Sequence, residues 1–138
     1  MTDHFASRRF ARDPAEVARA RQMVRANLEA WGFQRDLGAM ELAVSELVTN
    51  AIVHGEGVID VRVSALGDRL RLEVADEGAA VPRAGDSTQP IEGIGGWGLH
   101  LIDSLSDDWG SADRGGGTRV WMERSASPAS GGAGPETI

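Results

Sequence analysis

The fold is decided by one stretch, Glu41–Gly55, which runs E-L-A-V-S-E-L-V-T-N-A-I-V-H-G. It contains no proline, its only glycine is its last residue, and Gly38 lies just before it, so it predicts a helix that ends at Gly55. Apolar residues recur at three- and four-residue spacing and form one broad face: Met40, Ala43, Val44, Leu47, Val48, Ala51 and Ile52. This pattern predicts a helix packed against the core.

A polar stripe runs beside that apolar face. Glu46, Asn50 and His54 stand at positions i, i+4 and i+8, so their side chains point the same way. An ordinary solvated face is the alternative, but such faces usually carry glutamate–arginine pairs at four-residue spacing, and this stripe has none. We therefore treat the three side chains as candidate site residues.

Composition limits the class of protein. A chain of 138 residues with 41% apolar content is expected to form one domain with one core. The net charge of −7 argues against direct contact with nucleic acid. All fourteen basic residues are arginine, and there is no cysteine for a disulfide or a thiolate metal site. Without an apolar run of about 20 residues or a signal-peptide pattern, we expect a soluble, cytoplasmic protein with no membrane contact.

The remaining elements can be predicted from local signals. A short edge strand is expected around Phe5 and Phe10, and Asp13-Pro14 with Glu16 predicts the start of a helix that ends at Gly32. Alternating segments at 58–65 and 70–75, joined by Gly67-Asp68, predict a hairpin.

The second half of the chain is rich in glycine. Residues 79–96 predict a long loop, which in a compact domain is either functional or disordered. A short helix over 99–105 and strands over 107–111 and 118–123 follow. The prediction is a single domain over 1–124 and a disordered tail over 125–138, which is rich in Ser, Ala, Gly and Pro.

Three separate features suggest a nucleotide site. Besides the polar stripe, Asp76-Glu77-Gly78 follows a strand, where a carboxylate can accept a hydrogen bond from an amino group beside a glycine that admits a flat ligand. The run Gly93-Ile94-Gly95-Gly96-Trp97-Gly98-Leu99 opens a helix and can present N–H groups to phosphate. Taken alone, an Asp-x-Gly after a strand is usually a simple turn, and a glycine run before a helix is usually a flexible connector. The order of the three features along the chain is specific.

That order resembles the Bergerat-fold ATPases, the group that contains gyrase-type topoisomerases, histidine-kinase ATP domains and anti-sigma-factor serine kinases. The resemblance covers about residues 5–124, and S-E-L-V-T-N-A-I-V-H-G is similar to the anti-sigma-factor kinase branch. It implies an α+β fold: a two-layer sandwich with a mixed, mainly antiparallel sheet and three helices on one face.

The resemblance also implies roles for individual residues. Asn50 would hold Mg²⁺ on the ATP phosphates, and Glu46 would orient or deprotonate the attacking hydroxyl or water. His54 would reach nucleotide or phosphate, with a structural role as the alternative. Asp76 would take the adenine amino group, with Gly78 beside the ring and Thr118 nearby. The phosphate cradle and lid hinge would comprise Gly93, Gly95, Gly96, Gly98 and Leu99.

Two departures from the family pattern bear on affinity. Alanine stands at position 80, where the family has a second glycine, so weaker adenine binding is expected. The lid segment has no lysine, and Arg83 and Arg119 are candidates for phosphate contact, with a solvated surface role favoured for both.

The resemblance implies a kinase that works by partner switching: it binds a sigma factor and, using ATP and Mg²⁺, phosphorylates a STAS-like antagonist protein on serine. A homodimer is also implied. The alternative is a regulator of the same fold that binds nucleotide or sequesters a protein without phosphotransfer. No direct contact with nucleic acid is expected in either case.

Overall fold

The structure of the protein is a computed structural model that describes residues 3–78, 94–113 and 117–127. The elements in chain order are β1 (His4–Phe10), α1 (Glu16–Ala30), a 3₁₀ turn (Gln34–Asp36), α2 (Leu37–His54), β2 (Ile59–Leu66), β3 (Arg69–Asp76), α3 (Ile94–Leu105), β4 (Asp108–Asp113) and β5 (Thr118–Ser125). Most of the loop that the sequence predicts over 79–96 lies outside the described residues, together with residues 114–116 and 128–138.

Five strands form one sheet in the order β1-β2-β3-β5-β4. All four pairings between these strands are antiparallel, so the expectation of a mixed sheet is wrong for the described residues. The predicted hairpin is confirmed: Leu66 pairs with Arg69, which leaves Gly67-Asp68 as a two-residue turn with Gly67 at φ +64°. The predicted edge strand is confirmed as β1, which pairs with β2.

The core lies between one face of the sheet and the helices. Alternate residues of β2 and β3 are fully or almost fully buried and pack in one cluster with α1, α2 and α3: Val61, Val63, Leu70, Leu72, Leu28, Met40, Val44, Val48 and Ile102. The opposite face carries charged side chains in ion pairs, such as Arg71 with Glu123. The α+β two-layer fold is therefore confirmed, because a half-buried antiparallel sheet needs helices on one face only.

The N-terminal end of α1 lies later along the chain than the start that Asp13-Pro14 predicts. The helix begins at Glu16, and Asp13 Oδ1 accepts a hydrogen bond from Ala15 N at 2.9 Å in the turn before it. Its C-terminal end follows the prediction: Gly32 has φ +91°, and Phe33 N donates to Leu28 O at 2.8 Å, which is a Schellman arrangement.

Two other helices start earlier than the sequence predicts. α2 begins at Leu37, so Gly38 lies inside its first turn instead of before it. α3 begins at Ile94, which places Gly95, Gly96 and Gly98 within the helix instead of in a loop. Glycine is a poor helix former, but its local preference is a weak prior that tertiary packing can override.

The end of the sheet is tied to the N-terminus of α2. Strand β5 continues to Ser125, and Ala126 N donates to Asp68 O at 2.6 Å. Ser127 donates its backbone N–H and its hydroxyl to Asp36, at 3.0 Å each.

Among the helices that the structure describes, none has the length and apolarity to cross a membrane.

Candidate functional site

The polar stripe on α2 carries two buried polar atoms without a hydrogen-bond partner among the described residues. Asn50 Oδ1 and His54 Nε2 are buried and make no hydrogen bond to any described residue. A buried polar atom without a partner costs about 1–3 kcal/mol, and most such atoms in folded proteins are satisfied. Asn50 and His54 are one helical turn apart, so both unpaired polar atoms lie on the same face of α2.

Glu46, the first residue of the stripe along the chain, faces a cavity. It lines a space of about 400 Å³ together with His100, Leu101 and Ser104 of α3. The carboxylate therefore lies between α2 and α3, about 12 Å along the helix axis from His54 at 1.5 Å per residue.

Asp76 lies beside the C-terminal end of α2, at the point where β3 ends. Its side chain is 9% exposed, and its Oδ1 accepts a hydrogen bond from Gly78 N at 2.7 Å. Burial raises the pKa of Asp76 above its ordinary value, while the backbone N–H groups of Gly78 and Glu56 and the charge of Arg12 act in the opposite direction. The carboxylate is thus fixed by backbone donors in a largely desolvated position.

Two glycines allow this close packing around Asp76. A Cβ built on Gly55 would lie 2.4 Å from Asp76 Cγ, and one built on Gly117 would lie 2.7 Å from Asp76 O. Gly55 has an extended backbone (φ −98°), so it is needed for space and not for an unusual dihedral angle. These contacts join the C-terminal end of α2, the end of β3 and the start of β5.

Thr118 completes this end of the site. It pairs with Asp76 across β3 and β5, is 2% exposed, and donates its hydroxyl hydrogen to Gly78 O at 2.5 Å. The structure therefore brings Asp76, Gly78 and Thr118 together, while their contacts with adenine stay predictions. The space at Gly78 is taken up by the protein, because an added Cβ would meet Glu56 N at 3.1 Å.

The glycine-rich run falls only partly within the described residues. Gly93 lies outside them, and Gly95, Gly96, Gly98 and Leu99 belong to α3. The first four N–H groups of a helix have no acceptor within it, which in α3 includes those of Gly95 and Gly96. The predicted contribution of Gly98 and Leu99 to an N–H cradle has no such geometric support, because both follow the first turn.

Of the two arginines that are candidates for phosphate contact, Arg83 and Arg119, the structure describes only Arg119. Arg119 follows the inward-facing Thr118 and therefore lies on the opposite face of the sheet, where its Nε is 3.4 Å from Glu73 Oε2. Arg83 lies outside the described residues, as does Ala80.

Two residues near α2 were missed by sequence reasoning. Arg12 donates from Nη1 to Ile52 O at 2.6 Å and so satisfies a carbonyl in the last turn of α2. Asp36 is 1% exposed and binds Ser127 and Arg124, whose Nη2 is 3.4 Å away. Ile52 lies 40 positions from Arg12 along the chain, and Ser127 lies 91 positions from Asp36. Neither contact could be predicted from the sequence, because no local pattern links residues so far apart.

Comparison with protein families gives a match over most of the chain. The family model for the histidine kinase-like ATPase domain matches residues 10–124. This span includes α1, α2, the hairpin, α3 and most of β5.

Curated relatives match over a shorter span. An anti-sigma F factor from Thermoanaerobacter sp. is 29% identical over 83 aligned positions, which cover 53% of this chain and 58% of that protein. The serine-protein kinase RsbW of Bacillus licheniformis is 32% identical over 88 positions, which cover 53% of this chain and 55% of that protein. The matched region thus spans little more than half the length of these curated relatives.

Solved structures show the same fold. The crystal structure of the RsbU and RsbW domains of a Mycobacterium tuberculosis protein has a TM-score of 0.65 at 23% identity and covers 90% of this chain and 34% of that chain. The catalytic domain of the histidine kinase ThkA has a TM-score of 0.52 at 16% identity and covers 89% of this chain and 99% of that chain. From the family match over residues 10–124, supported by this fold, the chain belongs to the histidine kinase-like ATPase domain family.

Proposed function

We propose that this chain binds ATP with Mg²⁺ along α2 and acts as an anti-sigma-factor-type serine/threonine kinase. The observation that carries the proposal is Asn50 Oδ1, a buried oxygen with no partner among the described residues. Mg²⁺ can take an amide oxygen as a ligand. A Mg²⁺ ion bound to Asn50 Oδ1 would therefore explain why this buried oxygen has no hydrogen-bond partner among the described residues. Bound Mg²⁺ would neutralise charge on the phosphates.

The adenine end of the site is assigned to Asp76. Its carboxylate has oxygen lone pairs that can accept from an exocyclic amino group, while Gly78 and Glu56 N–H groups hold it in place. Thr118 fixes the Gly78 carbonyl, so it acts here as a positioning residue. His54 has a buried Nε2 with no hydrogen-bond partner in the part of the chain that the structure describes, and it is proposed to contact the nucleotide between this end and Asn50.

Glu46 is proposed as the catalytic base. It lies one turn from Asn50 and faces an open cavity, so a hydroxyl group could approach its carboxylate. In phosphoryl transfer most of the rate comes from positioning and electrostatics, and the base accepts the proton as the acceptor oxygen bonds to phosphorus.

The partners are proposed from the relatives. Proteins named anti-sigma F factor and serine-protein kinase are similar to this chain at about 30% identity. We therefore propose a sigma factor and a STAS-like antagonist as partners in a switching circuit, with a homodimer as the working form.

One alternative has specific support. The chain has no lysine to meet phosphate charge, and Arg119 is paired with Glu73 away from α2. These facts favour a regulator of the same fold that sequesters a partner without phosphotransfer.

The substitution Glu46→Gln separates the two functions. A kinase should lose transfer of radiolabelled phosphate from ATP to its antagonist protein while keeping its ATP affinity, because the amide keeps the shape but cannot take a proton. A wild-type protein that binds its sigma factor and never transfers phosphate would support the alternative. Equal transfer rates in both proteins would exclude Glu46 as the base.

A further inference from the structure

The cavity between α2 and α3 is lined by both polar and apolar side chains. Its volume of about 400 Å³ is within the range of sites for small ligands and far too small for a folded protein. On the α3 side its lining combines the apolar Leu101 with the polar His100 and Ser104, and on the α2 side it presents Glu46.

The cavity lies away from the end of α2 that holds Asp76. Gly55, the residue after α2, packs against the Asp76 carboxylate, whereas Glu46 lies about two and a half helical turns earlier. A nucleotide with its base at Asp76 and its phosphates near Asn50 would therefore have its terminal phosphate towards Glu46. The space beside Glu46 would then be left for the hydroxyl group that receives the phosphate.

The α3 wall of the cavity is held firmly against the sheet. Trp109 Nε1 donates to Asp103 Oδ1 at 2.9 Å, and Arg124 Nη1 donates to Leu105 O at 2.8 Å. Ile102, between these contacts, is fully buried. A wall that is fixed in this way is formed before any ligand binds, which lowers the entropy cost of binding.

We propose that this cavity receives a short segment of the acceptor protein that carries the seryl hydroxyl, and that His100, Leu101 and Ser104 select that segment. The inference rests on the proposed kinase function. In the transfer step the seryl oxygen bonds to the γ-phosphorus, and the bond from that phosphorus to the β–γ bridging oxygen breaks. ADP leaves with the electron pair, and the hydroxyl proton passes to the Glu46 carboxylate and then to solvent.

Ser104 has a specific part in this selection. Its hydroxyl donates to Leu101 O at 2.8 Å, and because this bond uses the hydroxyl hydrogen, the two oxygen lone pairs are left as acceptors. A backbone or side-chain N–H of the acceptor segment can donate to them. Leu101, which is half-buried, offers apolar contact beside it, and His100 lies exposed at the rim.

The experiment uses Mg-ATP and a library of peptides with one serine fixed at the centre as the acceptor probe. Ser104→Phe places an aromatic ring in the cavity and narrows it, and Ser104→Ala removes the hydroxyl without adding bulk. Ser106→Ala is the matched control, because Ser106 donates to Ile102 O at 2.7 Å in the same manner but does not line the cavity. Each variant is measured for peptide phosphorylation, for ATP affinity and for its melting temperature.

We expect Ser104→Phe to lower peptide phosphorylation on the order of 100-fold with unchanged ATP affinity, because a misplaced acceptor loses about that much rate. Ser104→Ala should change which peptides are preferred, and Ser106→Ala should behave as wild type. Wild-type rates in Ser104→Phe would overturn the proposal, as would a parallel loss of ATP affinity, which would make the cavity part of the nucleotide site. A wild-type protein that binds ATP but modifies no peptide would also count against the cavity, whereas absence of ATP binding would refute the proposed function itself.

Discussion

Gly55 lies directly against Asp76: a Cβ added at Gly55 would be 2.4 Å from Asp76 Cγ and 2.5 Å from its Oδ2. These distances are shorter than those that real Cβ atoms show, and the same added Cβ would also lie 2.7 Å from Ala51 O. The end of the central helix and the candidate adenine-binding carboxylate are therefore packed as one unit.

Gly55→Ala should destabilise the protein by about 1–3 kcal/mol, as overpacking does in a filled core. It should also weaken ATP binding, because Asp76 must move. Gly38→Ala is the matched control: its Cβ would meet nothing within 4 Å, and inside α2 alanine should stabilise by about 0.5–1 kcal/mol. Urea unfolding of both variants checks the pair, and equal midpoints would contradict the packing described at Asp76.

Asp36→Ala should destabilise the fold by about 3–5 kcal/mol, because it leaves the guanidinium of Arg124 and two donors of Ser127 without their buried partner. Glu29→Ala is the control, since Glu29 pairs with Arg25 on the exposed surface and such pairs contribute at most about 1 kcal/mol. Chemical unfolding measures both. A loss below about 1 kcal/mol for Asp36→Ala would show that the link between β5 and α2 is dispensable.

Asp76 should make the stability of the protein depend on pH in a defined direction. Its pKa is raised in the folded state, mainly by burial, so the folded protein binds this proton more tightly than the unfolded chain. The free energy of unfolding should therefore fall as pH rises from the ordinary aspartate pKa through the raised value. Comparison with Asp76→Asn isolates this effect: the difference in unfolding free energy, wild type minus variant, should decrease over that window. A difference that increases with pH would mean a lowered pKa.

Asn50→Ala should lower the affinity for Mg-ATP by about tenfold or more, since even residues that support a metal ligand contribute about 10- to 100-fold. Its stability should not fall, because the substitution removes a buried oxygen that has no partner among the described residues. Thr49→Ala, the preceding residue on the same helix and outside the polar stripe, is the control. Thermal unfolding and ATP titration measure both effects. A clear loss of stability with unchanged affinity would assign Asn50 a structural role.

The sequence predicts those parts of the molecule that depend on local patterns. The apolar face of α2, the hairpin at Gly67-Asp68 and the glycine at the end of α1 are repetitive or conformational signals, and the structure agrees with them. The start of α3 was missed because its glycines suggest a loop, and the low helix preference of glycine is only a weak guide to where a helix begins.

The contacts that complete the candidate site could not be predicted in the same way. Arg12 on Ile52 O, Gly117 against Asp76 O, and the α3 residues opposite Glu46 all depend on how distant elements pack. The roles of Asp76 and Thr118 were expected only through the family resemblance, and the structure adds the hydrogen bonds that hold them.

The most direct test of the central claim is a calorimetric titration of the full chain with ATP, in the presence and absence of Mg²⁺, with Asp76→Asn in parallel. If α2 and Asp76 form a nucleotide site, the wild type should bind ATP more tightly with Mg²⁺, and the variant should lose most of that affinity because the carboxylate acceptor is gone. Absence of binding heat across temperatures, confirmed by unchanged melting with ATP, would contradict the claim. The domain would then use this fold to hold another protein.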